Sequence, residues 1–305
     1  EVLRGPQGTL FGRNTEGGAV NFVTRKPSGE FKGNVGVEFG NYGRKTGRIS
    51  MDLPKFGIAS MSFAARREKA DGWAKNLTGP DMGSVDSKGF RASVKLDFTD
   101  NLKAIYAFDA TNVDQVPTPS SLLSLRGWGG TFPSVFGAFL GTAIQTALTP
   151  YVRTTRPDTV STNLVPGQPG LYERLSSNAH SLILDWNVSD HNELKYIFAT
   201  RYFHYEDSQD IDGTPLASIT PAPGLTWGLA ANFNRRTHYR QDSHELQWVA
   251  DSGPVKWVVG AYYFRDKGDT RGAQSFTIFG NAPQRSDYGA NTEASAVFGQ
   301  ADWSF

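Results

Sequence analysis

Apolar and polar residues alternate with a period of two along much of the chain, the pattern of strands with one dry face and one wet face. Val35, Val37 and Phe39 alternate with Asn34, Gly36 and Glu38; Asn41-Tyr42-Gly43 turns the chain; Gly47, Ile49, Met51 and Leu53 then alternate with Arg48, Ser50 and Asp52. Pro54 to Gly57 predicts a short turn, and a third strand follows from about Ile58 to Lys69. Next, Phe90, Ala92, Val94, Leu96 and Phe98 oppose Arg91, Ser93, Lys95 and Asp97. After Thr99-Asp100-Asn101 the chain returns with Leu102, Ala104, Tyr106, Phe108 and Ala110 on the apolar side. Similar pairs span about Ser181 to Phe203, around a turn at Ser189 to Asn192, and Ser243 to Arg265, around Asp251-Ser252-Gly253-Pro254. A last strand starts near Thr292. The expectation is about ten strands.

Alternation alone also describes the half-buried strands of a soluble sandwich. Three features favour strands that cross a membrane. The strands are long, and a tilted strand of ~9–11 residues spans the hydrocarbon. Aromatic residues gather toward strand ends, as at Phe90, Phe98, Tyr202, Trp257 and Tyr263, where a girdle would meet lipid headgroups. Connections alternate in length: tight turns follow Leu53, Phe98, Val188 and Ala250, and long ones follow Lys69, Thr111, Tyr205 and Arg265. The fold class expected is all-β, an antiparallel transmembrane barrel wall.

The stretch from about Asn112 to Ser177 is too long for an ordinary hairpin loop. Within it Phe132, Val135, Phe136, Phe139, Leu140, Ala143, Ile144, Ala147 and Leu148 recur at three- and four-residue steps. That predicts a short amphipathic helix, with Ser134 as N-cap and Pro150 as a stop, packed on neighbouring loops or lying as a lid over a vestibule.

Composition narrows the class. A net charge of +1 gives no pull toward nucleic acid, and the absence of cysteine removes disulfides and thiolate metal sites. No run of 18 apolar residues is present and mean hydropathy is −0.41, which excludes a helical membrane protein but not a barrel, whose strands are only half apolar.

The first residues, EVLRGPQGTLFGRNTEGGAVNFVTRKP, are dense in glycine, at Gly5, Gly8, Gly12, Gly17 and Gly18, between strand-like pieces at Glu1 to Arg4 and Ala19 to Thr24. The succession RGP, a tight turn, GRN and then GGAVNFVTRKP resembles the C-terminal part of the plug domain of TonB-dependent outer-membrane receptors; the likeness is strongest up to about Asp52. It implies that residues 1–29 are the end of a plug and 30–305 the first part of a barrel wall, in a piece of a longer receptor whose barrel has 22 strands. It implies that Arg4, Gly5, Pro6, Gly8, Gly12, Gly17 and Gly18 form the plug motif, and that Arg4 pairs with barrel carboxylates, for which Glu245 and Glu293 are the inward-facing candidates. Phe11, Arg13 and Asn14 become the expected ligand-facing residues. The implied activity is TonB-dependent uptake of a scarce nutrient, most commonly a ferric siderophore or other iron complex, across the outer membrane of a Gram-negative bacterium. The partners are the TonB complex, reached through an upstream segment, the small ligand and outer-membrane lipid. A complete small barrel, a passive porin and a soluble adhesin are the alternatives.

Other constellations carry less. His244-Glu245-Leu246-Gln247-Trp248 begins like a zinc-protease motif, but Trp248 replaces the second histidine and the stretch alternates like a strand. Glu206, Asp207, Asp210 and Asp212 crowd before Gly213; such oxygens can hold calcium, though not in an EF-hand pattern, and a solvated acidic loop is the simpler account. No cofactor, phosphate loop or catalytic constellation is expected.

Overall fold

The computed structural model describes residues 2–5, 17–125, 135–152, 159–160, 162, 170–277 and 284–304. In chain order the strands are β1 (Val2–Arg4), β2 (Gly18–Val20), β3 (Lys32–Gly40), β4 (Arg44–Asp52), β5 (Ala59–Ala70), β6 (Lys75–Asn76), β7 (Val85–Asp97), β8 (Leu102–Gln115), β9 (Thr159–Val160), β10 (Tyr172–Ser189), β11 (Asn192–Asp210), β12 (Ser218–Ala222), β13 (Leu225–Gly228), β14 (Ala231–Ser252), β15 (Val255–Phe276) and β16 (Gln284–Trp303). Among the described residues one α-helix, α1 (Val135–Leu148), lies between β8 and β9.

Ten of these strands form one antiparallel sheet in the order β16-β15-β14-β11-β10-β8-β7-β5-β4-β3. Every long strand except the terminal two has its sequence neighbours on either side. The register of β14 with β15 runs unbroken from Ala231↔Phe276 to Ser252↔Val255. Because side chains alternate, register carries each face across the sheet: Val94, Tyr106, Leu182, Phe198 and Leu246 belong to one face, and Arg91, Asp109, Ser181, Lys195 and Glu245 to the other. The apolar face is exposed at Val35, Val37, Phe39, Ile49, Phe90, Trp186, Trp248 and Val259, so no second sheet covers it there. The sandwich alternative needed that cover.

The strands extend well past their apolar stripes. β10 begins at Tyr172, not near Ser181; β15 continues to Phe276; β16 begins at Gln284, not near Thr292. Beyond the stripe both faces turn polar and the period of two fades, while the backbone ladder goes on. Cross-strand ion pairs such as Arg174 with Asp114 (3.1 Å) and Arg236 with Glu206 (2.6 Å) sit in these extensions.

Connections at one end are short: 53–58, 98–101, 190–191 and 253–254. At the other end they run over 71–84, 116–171, 211–230 and 277–283. The exception is 41–43, a tight turn on the long-loop side, where Tyr42 (φ 60°) and Gly43 (φ 61°) both adopt the left-handed conformation that a two-residue hairpin turn requires.

The long loops pack on one another. β6 pairs in parallel with β9, and Asn76 Nδ2 donates to Thr162 Oγ1 (3.0 Å). Ala74, Met82 and Leu171 form a small buried cluster with Trp73 and Val116. A second cluster joins Leu140, Ile144 and Leu148 of α1 to Leu229, with Leu216, Ile219 and Trp227 from the connection that holds the β12–β13 hairpin. The helix therefore packs on neighbouring loops through positions spaced by four. Phe139, expected on that apolar face, is exposed. Pro150 lies inside a 3-10 turn, Thr149–Tyr151, that ends the helix, and Ser134 lies outside the described residues. No described helix is long and apolar enough to cross a membrane.

Candidate functional site

Toward the long-loop end, the polar face of β11, β14 and β15 changes character. The residues that alternation places there include Arg201, Phe203, Tyr205, Asp207, Phe233, Arg235, Tyr239, Gln241 and Asp266. Phe203 and Tyr239 are register partners with ring centroids 5.2 Å apart. The Tyr239 hydroxyl donates to Gln241 Oε1 and Asp266 Oδ2, each at 3.3 Å. Tyr262 and Phe264 stack side by side farther along β15.

Arg235 organises the upper part of this surface. Its Nε donates to Asp207 Oδ1 (3.0 Å) and its Nη2 to Asp207 Oδ2 (3.2 Å). This is the two-pronged geometry that suits a guanidinium and a carboxylate. Asp207 is fully buried, whereas the arginine side chain remains 43% exposed. The guanidinium also lies over the Tyr205 ring at 5.3 Å and the Phe233 ring at 5.9 Å. Tyr205 donates to Glu173 Oε1 (3.3 Å), and Gln115 Nε2 donates to the other Glu173 oxygen (3.0 Å). The result is an aromatic surface edged with charges that are paired among themselves, able to stack a planar group.

The N-terminal segment meets the same polar face near its other end. β1 and β2 pair antiparallel, Val2↔Val20 to Arg4↔Gly18. Gly18 (φ 135°) is required there, since a side chain would collide with the Leu3 carbonyl oxygen. The second strand stops at Val20, short of the expected Thr24. Thr24 Oγ1 then accepts from Arg91 Nη2 (3.0 Å), and Asp52, 1% exposed, accepts from Ser28 Oγ (2.8 Å) and pairs with Arg25 (3.2 Å).

Of the residues singled out by sequence, Arg4, Gly5, Gly17 and Gly18 lie at this small β1–β2 ribbon; Pro6, Gly8, Gly12, Phe11, Arg13 and Asn14 lie outside the described residues. Glu245 falls on the polar face, as expected, and bonds Gln247 Nε2 (2.6 Å). Glu293 does not. It pairs in register with Arg265 and accepts from the Tyr263 hydroxyl, so it belongs to the face that carries Val259 and Leu246. The register of β16 on β15 fixes this parity, and the inward assignment of Glu293 is corrected. The acidic run does not gather. Asp207 is taken by Arg235, Asp210 Oδ1 accepts from the Asp212 amide (3.1 Å), and Asp212 accepts from the amides of Thr214 (2.8 Å) and Ala231 (2.7 Å). Among the described residues no group of three or more His, Cys, Asp or Glu is arranged to hold a metal ion. Sequence reasoning missed the aromatic surface. Its signal was aromatic residues on the wet parity of β11 and β14, beyond the apolar stripe.

A long-stranded antiparallel sheet with one exposed apolar face, one polar face and loops segregated by length is the wall of an outer-membrane β-barrel protein. Comparison with known proteins agrees. No protein-family model matches the chain. The pesticin receptor of Yersinia pestis is 36% identical over 97 residues, 31% of this chain and 14% of that protein. The ferripyoverdine receptor of Pseudomonas aeruginosa is 23% identical over 300 residues, 88% of this chain and 34% of that protein. The crystal structure of the ferric yersiniabactin uptake receptor of Yersinia pestis superposes with a TM-score of 0.72 at 19% identity, over 99% of this chain and 41% of that one. The chain thus spans well under half the length of each. In the matched stretch of sequence and in fold it is similar to the TonB-dependent outer-membrane receptors, a family of the Gram-negative outer membrane made up of transporters rather than enzymes.

Proposed function

We propose that this chain supplies the end of the plug, residues 1–29, and the first part of the barrel wall, residues 30–305, of a TonB-dependent transporter for a ferric siderophore or similar metal chelate. The observation that carries the reading is the aromatic and arginine-edged surface of Phe203, Tyr205, Phe233, Arg235 and Tyr239 on the polar face, at the end where the long loops gather. Siderophores present planar aromatic groups, which such a surface stacks. The names of several relatives, for ferripyoverdine, ferric yersiniabactin and metal-pseudopaline, favour a metal chelate as cargo.

In this reading the apolar face looks at lipid, the polar face lines the lumen, the long loops are extracellular and the short turns periplasmic. Arg4 anchors the plug on lumen carboxylates, with Glu245 the partner retained from the sequence, and Phe11, Arg13 and Asn14 approach the ligand from the plug side. Energy reaches the plug through TonB. The test is uptake by the intact receptor across a panel of ferric siderophores and other metal chelates, with TonB present and absent. We expect saturable uptake of one chelate class that vanishes without TonB, and at least ~10-fold weaker binding in the Phe203→Ala/Tyr239→Ala double variant, which loses two stacked rings. Uptake indifferent to TonB would identify a passive pore and refute the reading.

A further inference from the structure

Two histidines meet on the outer side of the strand pair that carries the aromatic surface. His204 of β11 and His238 of β14 are register partners, and their ring centroids are 4.4 Å apart. Side chains alternate along a strand, so His204 points away from Phe203 and Tyr205, and His238 away from Tyr239. Both belong to the face of Phe198 and Leu246 but stand outward of Tyr202, where the apolar stripe has ended. Their side chains are 28% and 39% exposed, open to an ion from the medium.

Each ring is held from behind by a carboxylate. His204 Nε2 donates to Glu206 Oε1 at 2.9 Å, and His238 Nδ1 lies 3.5 Å from Asp269 Oδ2. Asp269 is the register partner of His238 on β15. These contacts put the ring protons on His204 Nε2 and His238 Nδ1, which leaves His204 Nδ1 and His238 Nε2 with open lone pairs. A carboxylate on the far nitrogen fixes the tautomer of a metal-binding imidazole and raises its basicity. Two nitrogens that share a tetrahedral ion at about 2.05 Å each stand about 3.4 Å apart, within reach of rings at this spacing. The acids occupy the far nitrogens, so the protein supplies two ligands and water completes the shell.

The surrounding charge decides which ion fits. Arg236 and Arg240 flank His238 on this face, tied to Glu206 at 2.6 Å and Asp242 at 3.1 Å. Lys267 and Arg271 flank Asp269 in the same way, opposite Arg240 and Arg236. The cations thus lie two residues off the histidine row on either side, and Ser176, opposite His204 on β10, is neutral. A hard cation such as calcium needs a shell of oxygen ligands, which this row does not offer. Imidazole pairs suit zinc, copper and nickel, which bind through nitrogen.

We infer that His204 and His238 form a binding site for a divalent transition-metal ion of the zinc and copper class on the outer side of the wall, with Glu206 and Asp269 as positioning residues. A bound ion ties β11 to β14 directly behind Phe203 and Tyr239. The site lies on the face opposite the candidate ligand surface and is independent of which cargo is carried.

The test uses the intact receptor purified in detergent, titrated with Zn²⁺ by calorimetry and loaded with one equivalent of Cu²⁺ for electron paramagnetic resonance. The wild type should bind one Zn²⁺ that is lost in both His204→Ala and His238→Ala, and Glu206→Gln/Asp269→Asn should weaken it ~10- to 100-fold. The copper spectrum should show coupling to two imidazole nitrogens in the wild type and to one in either single histidine variant. His191→Ala, in the short turn 190–191, should change neither readout, and heat-modifiable migration equal to the wild type shows that each variant is folded. Zn²⁺ held at wild-type affinity by either histidine variant, no Zn²⁺ bound by the wild type, or a wild-type copper spectrum with a single nitrogen would overturn the proposal. TonB-dependent uptake is measured separately, so a failure here is distinguishable from a failure of the transport reading.

Discussion

Replacing Arg235 with alanine is expected to loosen the rim of the candidate ligand surface far more than removing the charges of both Arg235 and Asp207 together. Asp207 is fully buried and accepts two bonds from Arg235, at 3.0 and 3.2 Å, and one from Gln209 Nε2 at 3.1 Å. Coulomb attraction across about 3 Å at an effective dielectric of ~20 is about 5 kcal/mol. Desolvation of the carboxylate offsets part of this, and the 43% exposure of the arginine screens more. Breaking the pair while leaving Asp207 charged should therefore cost about 2–3 kcal/mol, with Gln209 giving partial relief. The assay is amide hydrogen exchange at residues 207–212 and 231–236 in the purified receptor, which reads the free energy of local opening. Arg235→Ala should accelerate exchange there roughly 30- to 150-fold. Asp207→Asn/Arg235→Ala, which leaves no buried charge, should accelerate it less than about tenfold. Equal acceleration in single and double variants would refute the argument, because the cost would then come from lost packing over Tyr205 and Phe233 and not from an orphaned carboxylate.

Ile144, wholly buried between α1 and Leu229, should on substitution by alanine cost the loop cluster about 2–4 kcal/mol; limited proteolysis on intact cells should then cut the long loops faster while heat-modifiable migration of the barrel stays unchanged. Asp81, in the 71–84 loop, has its carboxyl held below the ordinary value of 3.8, first by the Asn76 amide and then by Lys75. A depressed folded value gives stability that is present above the unfolded value and lost as pH falls through the folded one. Protease protection of this loop should therefore be flat from neutral pH to about 4 and fall only below it, and Asp81→Asn should remove that acid dependence.

How much of this was legible in the sequence depended on whether a residue's environment was two-sided. Strands such as β3, β4 and β7 could be read because Val35 and Asn34, or Phe90 and Arg91, face unlike surroundings. β10 above Ser181 and β16 before Thr292 could not, since both faces are polar there and nothing in the period marks a strand. The tight turns were read because their chemistry is local: Thr99 Oγ1 accepts from the Leu102 amide (3.0 Å) and Asp251 Oδ1 from the Gly253 amide (3.1 Å). The helix showed in its spacing, but its partner surface on Leu229 and Trp227 did not, because packing across some eighty residues leaves no local trace. The ligand-facing choices, Phe11, Arg13 and Asn14, came from resemblance alone. The arginine-aromatic surface on β11 and β14 was present in the sequence as misplaced aromatics on the wet parity, and only the register brings Phe203 beside Tyr239 and Arg235 beside Asp207. Glu293 failed for the same reason in reverse, because its face depends on a register that the sequence does not print.

The polar face neutralises much of its own charge. Arg44 pairs with Glu68, Arg91 with Asp109 at 2.7 Å, Lys55 with Asp97 at 2.8 Å, and Lys195 with Asp185 at 3.5 Å, all within the wall or its turns. Thr24, Arg25, Ser28 and Gly29 reach the wall at Asp52, Lys55 and Arg91: the bonds to Asp52 and Arg91, and the Lys55 amide donating to the Gly29 carbonyl at 2.8 Å. Each such bond contributes only about 1 kcal/mol net in a wet surrounding, and exposed Arg25 gains little more. Asp52, nearly inaccessible, is the firmest of these points and stands where the segment joins the wall. A wall that drew its neutrality from the segment would lose those pairs every time the segment moved. A wall already paired with itself gives up only a few hydrogen bonds beyond the hinge, while its backbone ladder stays closed. That division, cohesion within the sheet and light tethering of what lies against it, fits the gated transport proposed above.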